Sequence, residues 1–388
     1  MMKKKLMAVA VGAALAAPAL SYAAVEISGR ANVGIGTWSA TGATAGVASD
    51  YKSRMRVWDS GSNITIKAGE DLGGGLKAEF YLETGINVDQ GDANNQGGNA
   101  NTATGNWGSR QGWVGLSGNF GKVLFGKINT WYGSGDQDLT QAVWLDSSVQ
   151  FATGVLASGA GVNRQTNALR YNSPMLGPVE VLLTYSPEYG TGGAGTNGEV
   201  MPAGDRSNGS VVAATVQGAQ GPVSGGFDYV TKTMGKLSTD TGQQKNTAWK
   251  LRGGFKYQPG AQISLILVNA KQADVANVAG AKLEQTAWEI NWEHQVGNIG
   301  LHAQYGVASK QKNAAGDIPD SGTKAMELGV RFIMSKTVYT YVNYVAYTND
   351  PNAHLDFNAG GMSSAGAAGI TANGADPKSL AFGVSYRF

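Results

Sequence analysis

The chain has 388 residues, 57 of them Gly and none Cys, and only 15% of it is Asp, Glu, Lys or Arg. That charged fraction is low against the roughly 25% of ordinary soluble domains, and the lack of Cys excludes a disulfide scaffold and a thiolate metal site. A formal charge of +2 excludes an electrostatic nucleic-acid binder, and 42% hydrophobic with 9% aromatic residues excludes a disordered chain.

The first element reads as an export signal. Lys3, Lys4 and Lys5 precede an apolar run over 6–17, which ends in Pro18, Ala19, Leu20, Ser21, Tyr22 and Ala23. This order is that of a secretory signal peptide, and its apolar run is shorter than the ~20 residues a membrane helix needs. Residues 1–23 are therefore expected to be cleaved, with the cut after Ala23, or after Ala24 as the second choice. Loss of the three lysines would change the formal charge from +2 to −1.

From residue 24 onward apolar residues recur at alternate positions for about ten residues, followed by a polar or Gly-rich break, a pattern of strands rather than helices. Near the end of the chain Leu380, Phe382, Val384, Tyr386 and Phe388 share one face, against Ser379, Ala381, Gly383, Ser385 and Arg387 on the other. Trp249, Leu251, Phe255 and Tyr257 likewise oppose Lys250, Arg252, Gly254 and Lys256. A soluble sandwich would alternate too, so connection lengths have to decide. Short links at 72–75, 119–121, 259–261, 296–298 and 335–337 alternate with long polar ones at 89–107, 128–162, 189–208 and 349–378. This is the signature of an up-and-down transmembrane barrel with one short-turn rim and one long-loop rim. Sixteen strands are predicted, starting near Val25, Ser62, Leu76, Gly108, Lys122, Arg164, Val179, Gly209, Val223, Asn246, Gln262, Glu284, Ile299, Thr323, Val338 and Ser379. A barrel of that size encloses water rather than a side-chain core.

Several stretches carry a resemblance: 69–80 (GEDLGGGLKAEF), 110–118 (RQGWVGLSG), 120–127 (FGKVLFGK), 171–174 (YNSP) and the terminal Tyr386-Arg387-Phe388. Together they resemble the Gram-negative general porins, above all those of β-proteobacteria, over the whole of 24–388. The resemblance implies an all-β, sixteen-stranded antiparallel barrel with short periplasmic turns, long external loops and an inward-folded third loop. It further implies a homotrimer in the outer membrane, in contact with lipid and lipopolysaccharide and inserted by the outer-membrane insertion machinery. Each protomer would be a water-filled pore for small hydrophilic solutes.

On the residues, 128–162 is the expected constriction loop, with Asp136, Asp138 and Asp146 as its acidic groups and Trp131, Tyr132, Trp144 and Phe151 to pack it. The family places lumen-facing basic residues opposite, and alternation assigns Arg110, Arg164, Arg170, Lys67 and Lys77 to that wall, since a charge on the lipid face would cost ~2–4 kcal/mol. The same count sends Trp113, Trp249, Trp288 and Trp292 to the lipid. Asn63 stands where the family usually has Arg, so one rung of the basic ladder is missing. Arg54 and Arg56 lie on the wrong parity unless Gly61 hosts a bulge. Phe388 with Tyr386 resembles an assembly signal, and Gly29, Ala31, Gly34 and Gly36 are expected to leave the first strand thin for subunit packing.

Other chemistry finds little support. His294 and His302 fall on opposite parities and cannot share a metal without a register break, and a barrel hydrolase would need a His with a placed Ser or Asp, so no catalytic residue, metal or cofactor is expected. Gly73-Gly74-Gly75 lacks the G-K-[ST] of a phosphate loop, and the acidic stretch 89–99 lacks Ca²⁺-loop spacing. A weakly to moderately anion-selective diffusion pore is the reading adopted, with a substrate-selective channel or a surface adhesin on the same barrel as the alternative.

Overall fold

The computed structural model describes residues 24–86, 88, 107–130, 132, 164–189, 209–356 and 372–388, without the side chains of 188 and 189. The strands are β1 (Ala24–Thr41), β2 in two segments (Tyr51–Asp59 and Asn63–Gly73), β3 (Leu76–Gly85), β4 (Gln111–Gly118) and β5 (Gly121–Asn129). Next come β6 (Arg164–Asn172), β7 (Val179–Tyr189), β8 (Gly209–Gln220), β9 (Val223–Thr233), β10 (Lys245–Gln258) and β11 (Ala261–Ala273). The last five are β12 (Lys282–Val296), β13 (Ile299–Ala308), β14 (Thr323–Ile333), β15 (Val338–Asn349) and β16 (Asp376–Arg387). A small hairpin, Lys312–Asn313 with Gly316–Asp317, decorates the connection from β13 to β14.

Each strand pairs antiparallel with the next, and β1 returns to β16 over the register Arg30–Arg387 to Thr41–Asp376. Closure matters physically because a sheet edge in hydrocarbon would leave a row of unsatisfied N–H and C=O groups. Gly29 and Phe388 complete the seam by exchanging backbone bonds of 2.9 and 3.1 Å. The outer surface is the apolar face: Val114, Leu116, Phe125, Leu265, Leu328, Phe332, Leu380 and Phe382 are exposed. Inward positions on the same strands carry most of the Asn, Gln, Ser, Thr and charged side chains, with a few apolar ones such as Leu124, Ile266 and Val268, the reverse of a soluble sandwich.

One strand departs from the expected start. β2 begins at Tyr51 rather than near Ser62 and breaks at 60–62, where Gly61 has φ +73°. Even residues of its first segment oppose Gly34, Gly36 and Trp38 of β1, whereas odd residues of its second segment oppose Glu26, Ser28 and Arg30. The interruption thus reverses which parity faces inward, and Arg54 and Arg56 join the lumen side with the buried Trp58. The thin first strand is also corrected. Gly29 and Ala31 share the outward parity, but Gly34 and Gly36 face inward, where a Cβ would meet the Trp58 ring at 3.0 and 2.9 Å.

Candidate functional site

Three neighbouring strands build a charged and aromatic wall inside the barrel. On β3 the inward residues are Lys77, Glu79, Tyr81 and Glu83, opposite Ser117, Gly115, Trp113 and Gln111 of β4. Glu83 is the centre of the upper part. It forms an ion pair with Arg110 Nε and accepts from Gln111 Nε2 at 3.0 Å and from the Tyr81 hydroxyl at 3.2 Å. Arg110 reaches it from the turn just before β4, and its own N–H donates to the Glu83 carbonyl at 3.1 Å. Below, Glu79 accepts from Lys122 Nζ at 2.5 Å and from Ser117 Oγ at 2.7 Å.

Trp113 overturns its sequence assignment to the lipid. Val114 and Leu116 of the same strand are 57% and 42% exposed on the outer face, so Trp113 points into the lumen. There it stacks on Tyr81 with ring centroids 5.3 Å apart and planes 5° from parallel, and Lys122 Nζ lies 5.9 Å from its ring. Its back rests on Leu124, Ile128 and Ala168. A signal existed in the sequence: Gln111, Gly115 and Ser117 share its parity, and Val114 and Leu116 share the other. Trp288 and Trp292 are exposed on the outer face, and Trp249 has their outward parity, as expected.

The remaining basic candidates spread over the height of the pore. Lys67 sits on the lumen side of β2 and pairs with Glu26 at 3.4 Å, both exposed, while Lys77 adjoins the short turn at the periplasmic end. Neither is beside Arg110. Arg170 donates from Nε to Asn172 Oδ1 at 2.8 Å and from a terminal nitrogen to the Asn129 carbonyl at 3.1 Å. Arg164 is a second case where counting fails. The register shifts between Gly126 and Ile128, with Asn167 at φ +50°, so that Gln165 rather than Arg164 takes the buried position beside Ile128. Arg164 nevertheless lies within electrostatic reach of Arg110, Glu83 and Lys127. Arg30 donates to the carbonyls of Ser60 and Gly61 at 3.2 Å and so holds the β2 interruption.

Across the lumen a buried ionic group receives the start of the third long loop. Lys250 Nζ on β10 donates to the Tyr132 carbonyl at 2.6 Å and lies 4.9 Å from the centre of the Tyr132 ring. Asp228 holds the group together, accepting from Thr215 Oγ1 at 2.6 Å and Arg252 Nε at 2.8 Å, with Lys250 at 3.9 Å. Tyr132 is buried among Ala213, Val230, Ala248 and Val268, so the chain enters the barrel right after β5. Asp136, Asp138 and Asp146, with Trp131, Trp144 and Phe151, lie outside the described residues, as do residues 1–23 and 89–106. An acidic stretch of wall completes the circle: Glu289 and Glu327 are fully buried, and His302 stands between Glu293 at 3.7 Å and Glu327 at 4.0 Å. His294 instead faces outward, with Nδ1 2.9 Å from the Tyr257 hydroxyl.

The described residues give the lumen wall a basic arc on β1–β6 and an acidic arc on β12–β14. Comparison with known proteins agrees. A family model described as Gram-negative porin matches residues 8–353. The major outer membrane protein P.IB of Neisseria lactamica is 25% identical over 343 residues, covering 88% of this chain and 92% of that protein. A P.IB protein of Neisseria gonorrhoeae is 32% identical over 200 residues, 51% of each chain, so the match spans about half the length of that relative. Among solved structures, the anion-selective porin from Comamonas acidovorans superposes with a TM-score of 0.73 at 21% identity, over 94% of this chain and 100% of that one.

Proposed function

This chain belongs to the Gram-negative porin family of the outer membrane, and on that premise we propose that it is a passive diffusion pore for small hydrophilic solutes and ions with a weak to moderate anion preference. The observation that carries the reading is the inverted barrel: apolar side chains cover the outside, and charged and amide side chains line the inside. Anion preference rests on the basic arc. Arg30, Arg54, Arg56, Arg110, Lys127 and Arg164 crowd the half of the wall where Glu83 is the carboxylate in contact with Arg110. The acidic arc around Glu289, Glu293 and Glu327 opposes it, which keeps the preference modest.

Charges at a narrow passage act with little screening, because the Debye length is ~8 Å at physiological salt. Of the expected loop 128–162, Ile128 and Asn129 belong to β5; the remainder is proposed as the constriction loop, with Asp136, Asp138 and Asp146 facing Arg110 and Arg164 to set up a transverse field. A homotrimer is part of the same reading, supported by family membership. Reversal potentials under a salt gradient test the selectivity: replacing Arg110 and Arg164 together by Ser should move the pore toward cations and raise its conductance. No change in either quantity would place the selective step elsewhere.

A further inference from the structure

The parallel rings of Tyr81 and Trp113 form a stacked aromatic surface on the inner wall, and they lie beneath a set of guanidinium donors. Tyr81 and Trp113 are opposite one another on β3 and β4, two residues toward the short-turn end from the Glu83–Gln111 pair. Both rings are half-buried, so part of each faces the lumen. Their position is rigid. The Tyr81 hydroxyl is tied to Glu83, Trp113 packs on Leu124 and Ile128, and the neighbour of Trp113 on β5 is Gly126, which puts no side chain beside the indole. Above them, Arg110 uses Nε on Glu83, and its terminal nitrogens have no acceptor among the described residues. Arg164 Nε is buried and likewise without an acceptor among them. Arg110 and Arg164 share the Glu83 carboxylate, and Lys127 beside them donates to the Ser109 carbonyl at 2.5 Å, so the corner holds a local excess of positive charge.

We propose that this corner is a subsite for aryl carboxylates, anions in which a planar ring is joined to a carboxylate by a short tether. The carboxylate would be held by the terminal nitrogens of Arg110, whose fork of donors matches two carboxylate oxygens, with Arg164 adding positive charge beside it. The ring extends the Tyr81–Trp113 stack, since aromatic faces favour an offset parallel partner. Spacing selects the tether: two residues along a strand span about 6.6 Å, the reach of a ring and carboxylate joined by two methylenes. A simple aliphatic acid would meet the same donors and leave the rings uncovered. This inference rests on the pore reading and adds to it a class of favoured solute.

Planar-bilayer recordings of the full assembled protein in KCl test it with two probes, 3-phenylpropanoate and propanoate. The expected result is saturable block by 3-phenylpropanoate at a concentration about fivefold below that of propanoate, in line with one added ring contact. In Tyr81→Leu and Trp113→Leu channels that difference should shrink to about twofold or less, and Arg110→Ser should weaken block by both acids. Equal block by the two acids in the unaltered protein overturns the subsite and leaves the pore intact. Since that comparison needs no variant, failure of Trp113→Leu to assemble does not remove the test. A protein that inserts and carries no KCl current overturns the pore reading itself.

Discussion

Lys250 holds Tyr132 at two points, donating to its carbonyl at 2.6 Å and lying 4.9 Å from its ring, across 118 residues of sequence. The ammonium is fully buried, and Asp228 at 3.9 Å supplies its countercharge. Removing one member of a buried ion set costs about 3–5 kcal/mol, because the partner charge is left uncompensated. Lys250→Met should therefore lower the temperature at which the barrel loses strand structure in detergent, and should increase open-channel current noise at the entry of the third loop. Lys250→Arg should recover most of both. Quiet, unchanged current in Lys250→Met would mean that this tie does not restrain the passage.

Glu83 is the carboxylate that Arg110 touches, with further bonds from Gln111 and Tyr81. Glu83→Gln removes the negative charge and keeps the shape of the side chain. The prediction is a reversal potential shifted toward anions, opposite in sign to Arg110→Ser. A shift in the same direction for both variants would refute the idea that this pair sets the local balance.

At Gly61 the backbone adopts φ +73°, and Arg30 donates to the carbonyls of Ser60 and Gly61. A β-branched residue there would strain the left-handed conformation by about 1–2 kcal/mol. Gly61→Val is expected to weaken the parity reversal that brings Arg54 and Arg56 to the lumen. Reduced anion preference with an assembled barrel is the outcome sought; full retention would show that the wider barrel carries the reversal without this turn.

At the seam between β15 and β16, Gly383 leaves its inner side to the Tyr341 ring. A Cβ there would lie 2.1 Å from the Tyr341 ring, whose hydroxyl donates to Asn32 Oδ1 at 3.1 Å. Gly383→Ala must displace that ring and strain its bond to β1, an overpacking cost of about 1–3 kcal/mol. Heat-modifiability gels should show the folded band lost at a lower temperature, and an unshifted band would mean that Tyr341 relocates freely.

Phe388 closes the barrel through its backbone, bonded in both directions to Gly29, and its ring overlies Gly29 on the outer face. Phe388→Ala keeps the backbone seam while removing the aromatic end. If the ring serves as the assembly signal, yield in the outer membrane should fall with little change in thermal stability once folded. Normal yield with a small stability loss would assign it to lipid contact alone.

The primary structure alone determined the number of strands, the alternation of short turns and long loops, the outward band from Leu380 to Phe388 and the family motifs. These follow from local rules: period-two alternation, turn chemistry and a lipid that rejects charge on one face. Tertiary structure decided which way particular side chains point. Alternation carries a face assignment along a strand only until a residue is inserted, so Gly61 reversed Arg54 and Arg56, and the shift beside Asn167 exchanged Gln165 for Arg164. Trp113 went to the lumen because a wide barrel restricts its lipid face to apolar groups but leaves its inner face open to aromatic ones. The tie from Lys250 to Tyr132 was beyond any local pattern, since closing the barrel is what brings β10 across from the end of β5.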